Sequence, residues 1–147
     1  MSFVKNPISL MSTFLWIGFV CAISFMEAWL KFRAPGITVP LGLGIGRLVF
    51  AALNKVEWVF AIAILVSGIL AKERWLSLKT IAYVIPFMLV ISQSFWLLPA
   101  LDARAELIIH VHDLKPSNHH FYYVAMEIIK VSTLIIFGIS HFKTIKS

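Results

Sequence analysis

The stretch LVFAALNKVEWVFAIAILVSGILA, Leu48 to Ala71, decides the fold. It stays apolar for the about 20 residues that a helix needs to cross ~30 Å of hydrocarbon. Within it Asn54, Lys55 and Glu57 lie almost side by side. Charge inside lipid is costly and persists where it faces a protein interior or a wet cavity and has a partner. The stretch therefore predicts a membrane-spanning helix with helical neighbours.

Three more runs supply those neighbours. They extend roughly from Ile8 to Leu30, from Thr80 to Leu101 and from Phe121 to Phe142. Pro7 suits the start of the first helix, and Pro86 predicts a kink in the third. The chain is 60% hydrophobic and only 14% charged, with a mean hydropathy of +0.90. Soluble domains carry about a quarter charged residues. The 147 residues suit one integral membrane domain, spans 8–30, 48–71, 80–101 and 121–142, with no room for a separate soluble domain. The expected fold is all-α: a four-helix transmembrane bundle.

Loop charges orient it. Lys5, Lys72, Arg74, Lys79, Lys143 and Lys146 fall on one side, against Lys31, Arg33, Arg104 and Lys115 on the other. The excess of basic residues predicts cytoplasmic termini, in a bacterial inner membrane. The net charge of +6 is read as this flanking pattern. Nucleic acid is not expected as a partner, because there is no basic helix and no soluble aromatic platform. One Lys precedes a first run long enough to span, which reads as a retained helix rather than a cleaved leader. Cys21 is the single cysteine, which excludes an internal disulfide; it is expected in the core.

The first outward loop, KFRAPGITVPLGLGIGR from Lys31 to Arg47, is apolar yet rich in Gly and Pro. Irregular backbone cannot face lipid, so this loop either lies at the interface or is re-entrant. Its GLGIGR lacks the spacing of a dinucleotide fingerprint. In the other outward loop, Asp102, Glu106 and His110 stand four apart on one helical face, with Leu107, Ile108 and Val111 turned to the bundle. The segment Asp102 to His112 is read as a short helix or an extension of the third span, followed by a turn through Lys115 to Asn118.

Six of the seven acidic residues, Glu27, Glu57, Asp102, Glu106, Asp113 and Glu127, fall at the outward face or in the half-membrane below it. Helical spacing groups Ser24 with Glu27 and Lys31, then Arg47 with Asn54 and Glu57, then His120 with Tyr123, Glu127 and Lys130. Gln93 and Ser94 add polar groups from the third span. At ~1.5 Å per residue, Glu57 and Glu127 lie about 10–15 Å below the outer boundary. Such a network serves helix registry, a pocket or a proton relay, and the inner halves of the spans lack the ionisable steps that a relay across the membrane needs.

Four of the five histidines, His110, His112, His119 and His120, cluster in one loop. Imidazole binds zinc, copper and haem iron, and His110, His112 and His119 are the candidate metal ligands. Their spacing matches no zinc motif. No Ser-His-Asp or Cys-His arrangement suggests a catalytic residue.

The stretches PGITVPLGLGIGRLVFAALNKVEW and LPALDARAELIIH, with KPSNHHFYYVAMEIIK, carry a resemblance. The chain resembles small uncharacterised bacterial four-helix inner-membrane proteins. In those proteins G-R-x-x-F, N-K-x-E-W, L-P-x-L-D-x-R, H-x-x-Y and E-x-x-K recur. The matching residues here are Gly46, Arg47, Phe50, Asn54, Lys55, Glu57 and Trp58, then Leu98, Pro99, Leu101, Asp102, Arg104, His120, Tyr123, Glu127 and Lys130. More distantly, the layout is similar to the copper-resistance-D type of membrane protein. The resemblance implies an architecture and a polar cluster but no activity. The copper association does not carry over, since no Met-rich outward loop is present to hold Cu(I).

The leading expectation is a non-enzymatic protein with an outward-facing pocket for a small ligand or ion. Arg47, Asn54, Glu57, Gln93, Tyr123, Glu127 and Lys130 would line it, with Asp102, Arg104, Glu106 and His120 at its rim. Arg47 or Lys130 would hold an anionic group; Glu57 and Glu127 would hold a cation or proton. The alternatives are an accessory subunit of a larger membrane complex, and a metal or haem redox protein. Membrane lipids, a second copy or other membrane subunits are the expected partners.

Overall fold

The computed structural model describes residues 2–4, 6–72, 78–111 and 118–144. Four helices are long and apolar enough to cross a membrane: α1 (Pro7–Arg33), α2 (Val39–Leu70), α3 (Ile81–His110) and α4 (His119–Ile139). The chain is an all-α four-helix transmembrane bundle. α1 packs along both α2 and α4, while α3 rests its first half on α4 and its second half on α2. α3 thus changes neighbour along its length.

The helix starts follow from side-chain chemistry. The Asn6 side chain accepts a hydrogen bond from Ser9 N at 3.1 Å, with Pro7 at the first helical position. Thr38 caps α2 in the same way through Leu41 N at 3.4 Å, ahead of Pro40. α2 therefore begins at Val39, earlier than the expected Leu48, and the first loop shrinks to residues 34–38. It is a turn with Gly36 at φ +80°, and not a re-entrant segment. The glycines read as helix breakers have a packing role. A Cβ at Gly42 would overlap the Phe32 ring, and one at Gly46 would stand 3.2 Å from Lys31 Nζ. Gly42 and Gly46, four apart, let the end of α1 close on α2, as small residues do between membrane helices.

Two helices contain π-helical stretches, Cys21–Glu27 in α1 and Gln93–Leu97 in α3. A wider turn shifts the phase of everything beyond it and recurs at functional sites. Beyond Gln93–Leu97, α3 runs without a break through Asp102 to Val111. Asp102 and Glu106 face α2 there, which puts Leu107 on the far side, 50% exposed rather than on the bundle as expected.

Trp16, Val20, Ala61, Ile64, Tyr83, Val90, Leu134 and Phe137 form the apolar core in the half nearer the termini. Tyr83 seals it by donating to Ala61 O at 2.6 Å. Large apolar side chains such as Leu48, Leu70 and Phe95 point outward, where lipid receives them. Cys21 is also exposed, contrary to its expected core position, because it lies a quarter-turn round from buried Val20. Short strands β1 (Ser2–Val4) and β2 (Phe142–Thr144) pair antiparallel. An even number of helices returns both ends of the chain to one side.

Candidate functional site

Midway along α4, Lys130 is fully buried and spends all three ammonium protons inside the bundle. It donates to Glu57 Oε1 at 2.5 Å, to Glu127 Oε1 at 2.9 Å and to Gln93 Oε1. Gln93 Nε2 donates to Glu127 Oε1 at 2.6 Å. Trp16 Nε1 donates to Glu57 Oε1 at 2.9 Å. Ser24 Oγ reaches Glu127 Oε2 at 3.4 Å and Tyr123 Oη at 3.3 Å. Every helix contributes, and Glu57, Gln93, Glu127 and Lys130 are each at most 1% exposed. The π stretches place the partners: Ser24 sits within one and Gln93 begins the other. A charge buried in lipid needs these bonds, since breaking such a pair on one side strands the other charge.

Toward the ends of the helices away from the chain termini lies a second, wetter cluster. Arg47 Nε donates to Asp102 Oδ1 at 2.5 Å, and its Nη1 donates to Glu106 Oε2. Glu106 also contacts His110 Nε2 at 3.3 Å. The one-face reading of Asp102, Glu106 and His110 thus describes how they meet Arg47. Glu27 and Lys31 pair within α1 at 3.1 Å, with the Lys31 ammonium over the Phe50 ring.

Between the two clusters is a cavity of ≈ 610 Å³. Phe32, Leu43, Phe50 and Leu98 give it apolar walls, and Asn54, Lys55, Ser94, His120 and Tyr123 give it polar points. It extends from buried Gly46 and Tyr123 to exposed Ala51 and Lys55. Two groups on its wall are left over. Lys31 and Arg47 are ion-paired, whereas Lys55, among the described residues, has no partner. Asn54 binds Ser94 Oγ at 3.0 Å through Oδ1, and its Nδ2 is buried without a partner.

The expected pocket residues thus divide into separate environments. Glu57, Gln93, Tyr123, Glu127 and Lys130 converge in the dry network. Arg47, Asp102 and Glu106 form the ion-paired rim, with Arg104 beside them partly exposed. Asn54 and His120 line the cavity. Lys130 and Arg47, the expected anion holders, are already occupied by carboxylates. Lys55, Trp16 and Ser24 were not singled out as site residues; the depth of Lys55 beside Glu57 was the available signal for the first. Of the candidate metal ligands, His110 is exposed and bound to Glu106, His119 is half-buried, and His112 lies outside the described residues, as do Asp113 and residues 115–117. Among the described residues no three His, Cys, Asp or Glu side chains are placed so as to hold a metal ion.

Comparison with protein-family models, with curated proteins and with solved structures gives no match.

Proposed function

We propose that this is a non-enzymatic binding protein of a bacterial inner membrane, with cytoplasmic termini and an outward-side cavity for a small amphipathic molecule with an anionic head. The observation that carries the reading is the cavity at the meeting of the four helices. Its ≈ 610 Å³ falls within the roughly 300–1,000 Å³ typical of ligand pockets. Apolar walls with a few polar points are what such pockets use to hold and orient a ligand. The apolar body would rest on Phe32, Leu43, Phe50 and Leu98, and the head would meet Lys55 and the free edge of Asn54. Both groups are donors, and among the described residues no acid satisfies them.

The polar stripes support a pocket over an accessory-subunit role. Glu57, Gln93, Glu127 and Lys130 turn inward and find hydrogen-bond partners within the chain, so no other subunit is needed to pair their polar groups. Lipids of the surrounding leaflet are the nearest source of an amphipathic anion.

Native mass spectrometry of protein extracted from its own membranes in mild detergent tests this. The expected spectrum shows the chain, alone or as a homo-oligomer, with a small retained mass that is depleted by Lys55→Gln. A bare chain, or a stoichiometric foreign subunit in place of the small mass, overturns it.

A further inference from the structure

Charge counting in the buried network gives a result that does not depend on what fills the cavity. Three acidic or basic side chains meet there, Glu57 from α2 and Glu127 and Lys130 from α4, beside the neutral phenol of Tyr123. α1 contributes only neutral Trp16 and Ser24, and α3 only neutral Gln93. Of the next charges toward the rim, Lys31 is engaged with Glu27 and Arg47 with Asp102 and Glu106, while Lys55 is exposed at the cavity wall and makes no ion pair with Glu57 or Glu127. Two carboxylates facing one ammonium leave a surplus negative charge, at side chains with 0–2% exposure. In a hydrocarbon surround that surplus has no solvent to spread into. The space a metal ion would need around the carboxylates is taken by Lys130 Nζ, Gln93 and Trp16 Nε1.

We infer that the Glu57–Glu127 pair holds one exchangeable proton, which enters from the cavity through Tyr123 and Ser24. Tyr123 is on the cavity wall and is itself only 4% exposed. Its hydroxyl lies 3.3 Å from Ser24 Oγ, which in turn donates to Glu127 Oε2 at 3.4 Å. A proton from a cavity hydronium binds Tyr123 Oη. Tyr123 passes its own proton to Ser24 Oγ, and Ser24 passes its own to Glu127 Oε2. Each oxygen loses one O–H bond as it gains another, so hydronium becomes water and the carboxylate becomes a carboxylic acid. Lys130 bonds to both carboxyls, so the proton belongs to the pair and not to one acid alone. The site therefore binds a proton on the membrane-embedded side of the cavity.

Infrared spectroscopy of the full chain in lipid vesicles reads this directly. At neutral pH the wild type should show the carbonyl stretch of a protonated carboxylic acid, and uniform ¹³C-glutamate labelling should move it. Glu57→Gln and Glu127→Gln should each remove that band, because either change leaves one carboxylate matched to Lys130. On transfer to D₂O the band should shift with exchange, and Tyr123→Phe should slow that shift at least tenfold while leaving the band in place. Absence of the band in wild type, or its persistence in both Gln variants, overturns the proton. An unchanged exchange rate in Tyr123→Phe overturns the route. None of these readouts requires the ligand, so a cavity found empty by mass spectrometry would leave them standing.

Discussion

Lys130 Nζ stands 2.5 Å from Glu57 Oε1, across 73 positions of sequence, with both side chains out of contact with solvent. This bond joins α4 to α2 through the middle of the bundle. A buried pair is weak evidence for net stability, but removing one partner is strongly destabilising. Lys130→Met should therefore lower stability by about 3–5 kcal/mol. The triple change Lys130→Met, Glu57→Gln, Glu127→Gln removes the stranded charge and should recover most of that loss. Thermal unfolding in mild detergent separates the two. A triple variant as unstable as the single one would show that the loss is volume and not charge.

Arg47 is the contrasting case. It meets two carboxylates, yet its side chain is 30% exposed and theirs are 50% or more. Ion pairs in that setting contribute about 0–1 kcal/mol and weaken with salt. Arg47→Gln should thus lower stability far less than Lys130→Met does, and the loss should shrink further in high salt. Equilibrium unfolding at two ionic strengths checks it. A loss on the scale of Lys130→Met would mean that the rim, and not the network, holds the bundle together.

Much of this architecture was legible in the chain because lipid imposes length and apolarity on each span. The pairs within one helix were legible too. Glu127 and Lys130 at i, i+3 meet at 2.9 Å, and Asp102 and Glu106 at i, i+4 share Arg47. The partners from other helices were not. Trp16, in the middle of the first apolar run, is fully buried and donates to Glu57. Ser24 and Gln93 reach the network from π-helical turns, whose phase no regular 3.6-residue pattern anticipates. Gly42 and Gly46 looked like breakers because a sequence shows missing side chains without showing which ring or ammonium fills the space. On the cavity wall Lys55 is the cation without an ion-pair partner among the described residues. Arg47 and Lys130 can be distinguished from it only when their carboxylate partners are placed.

Gly42 tests the close approach of α1 to α2. A methyl group there would overlap the Phe32 ring, and overpacking of this kind costs about 1–3 kcal/mol. Gly42→Ala should destabilise by that amount in the wild type. In a Phe32→Ala background the same change should cost little, since the ring it strikes is gone. A double-mutant cycle on unfolding free energies measures the coupling. Additive effects would mean that the Phe32 ring swings aside freely and that Gly42 is present for another reason.

Trp16 carries the last prediction. Its indole N–H is one of two donors on Glu57 Oε1, the other being Lys130. Hydrogen bonds to charged groups contribute about 1.5–3 kcal/mol, though membrane interiors often return less because the unfolded chain also finds partners. Trp16→Phe keeps an aromatic ring in the core and removes the donor, so it should destabilise by about 1–3 kcal/mol. Repeating the change in Glu57→Gln separates bonding from packing. If the carboxyl is what the indole serves, the penalty falls by at least half in that background, where the acceptor is a neutral amide. An equal penalty in both backgrounds would assign Trp16 to packing alone, and Glu57 would then be held by Lys130 without it.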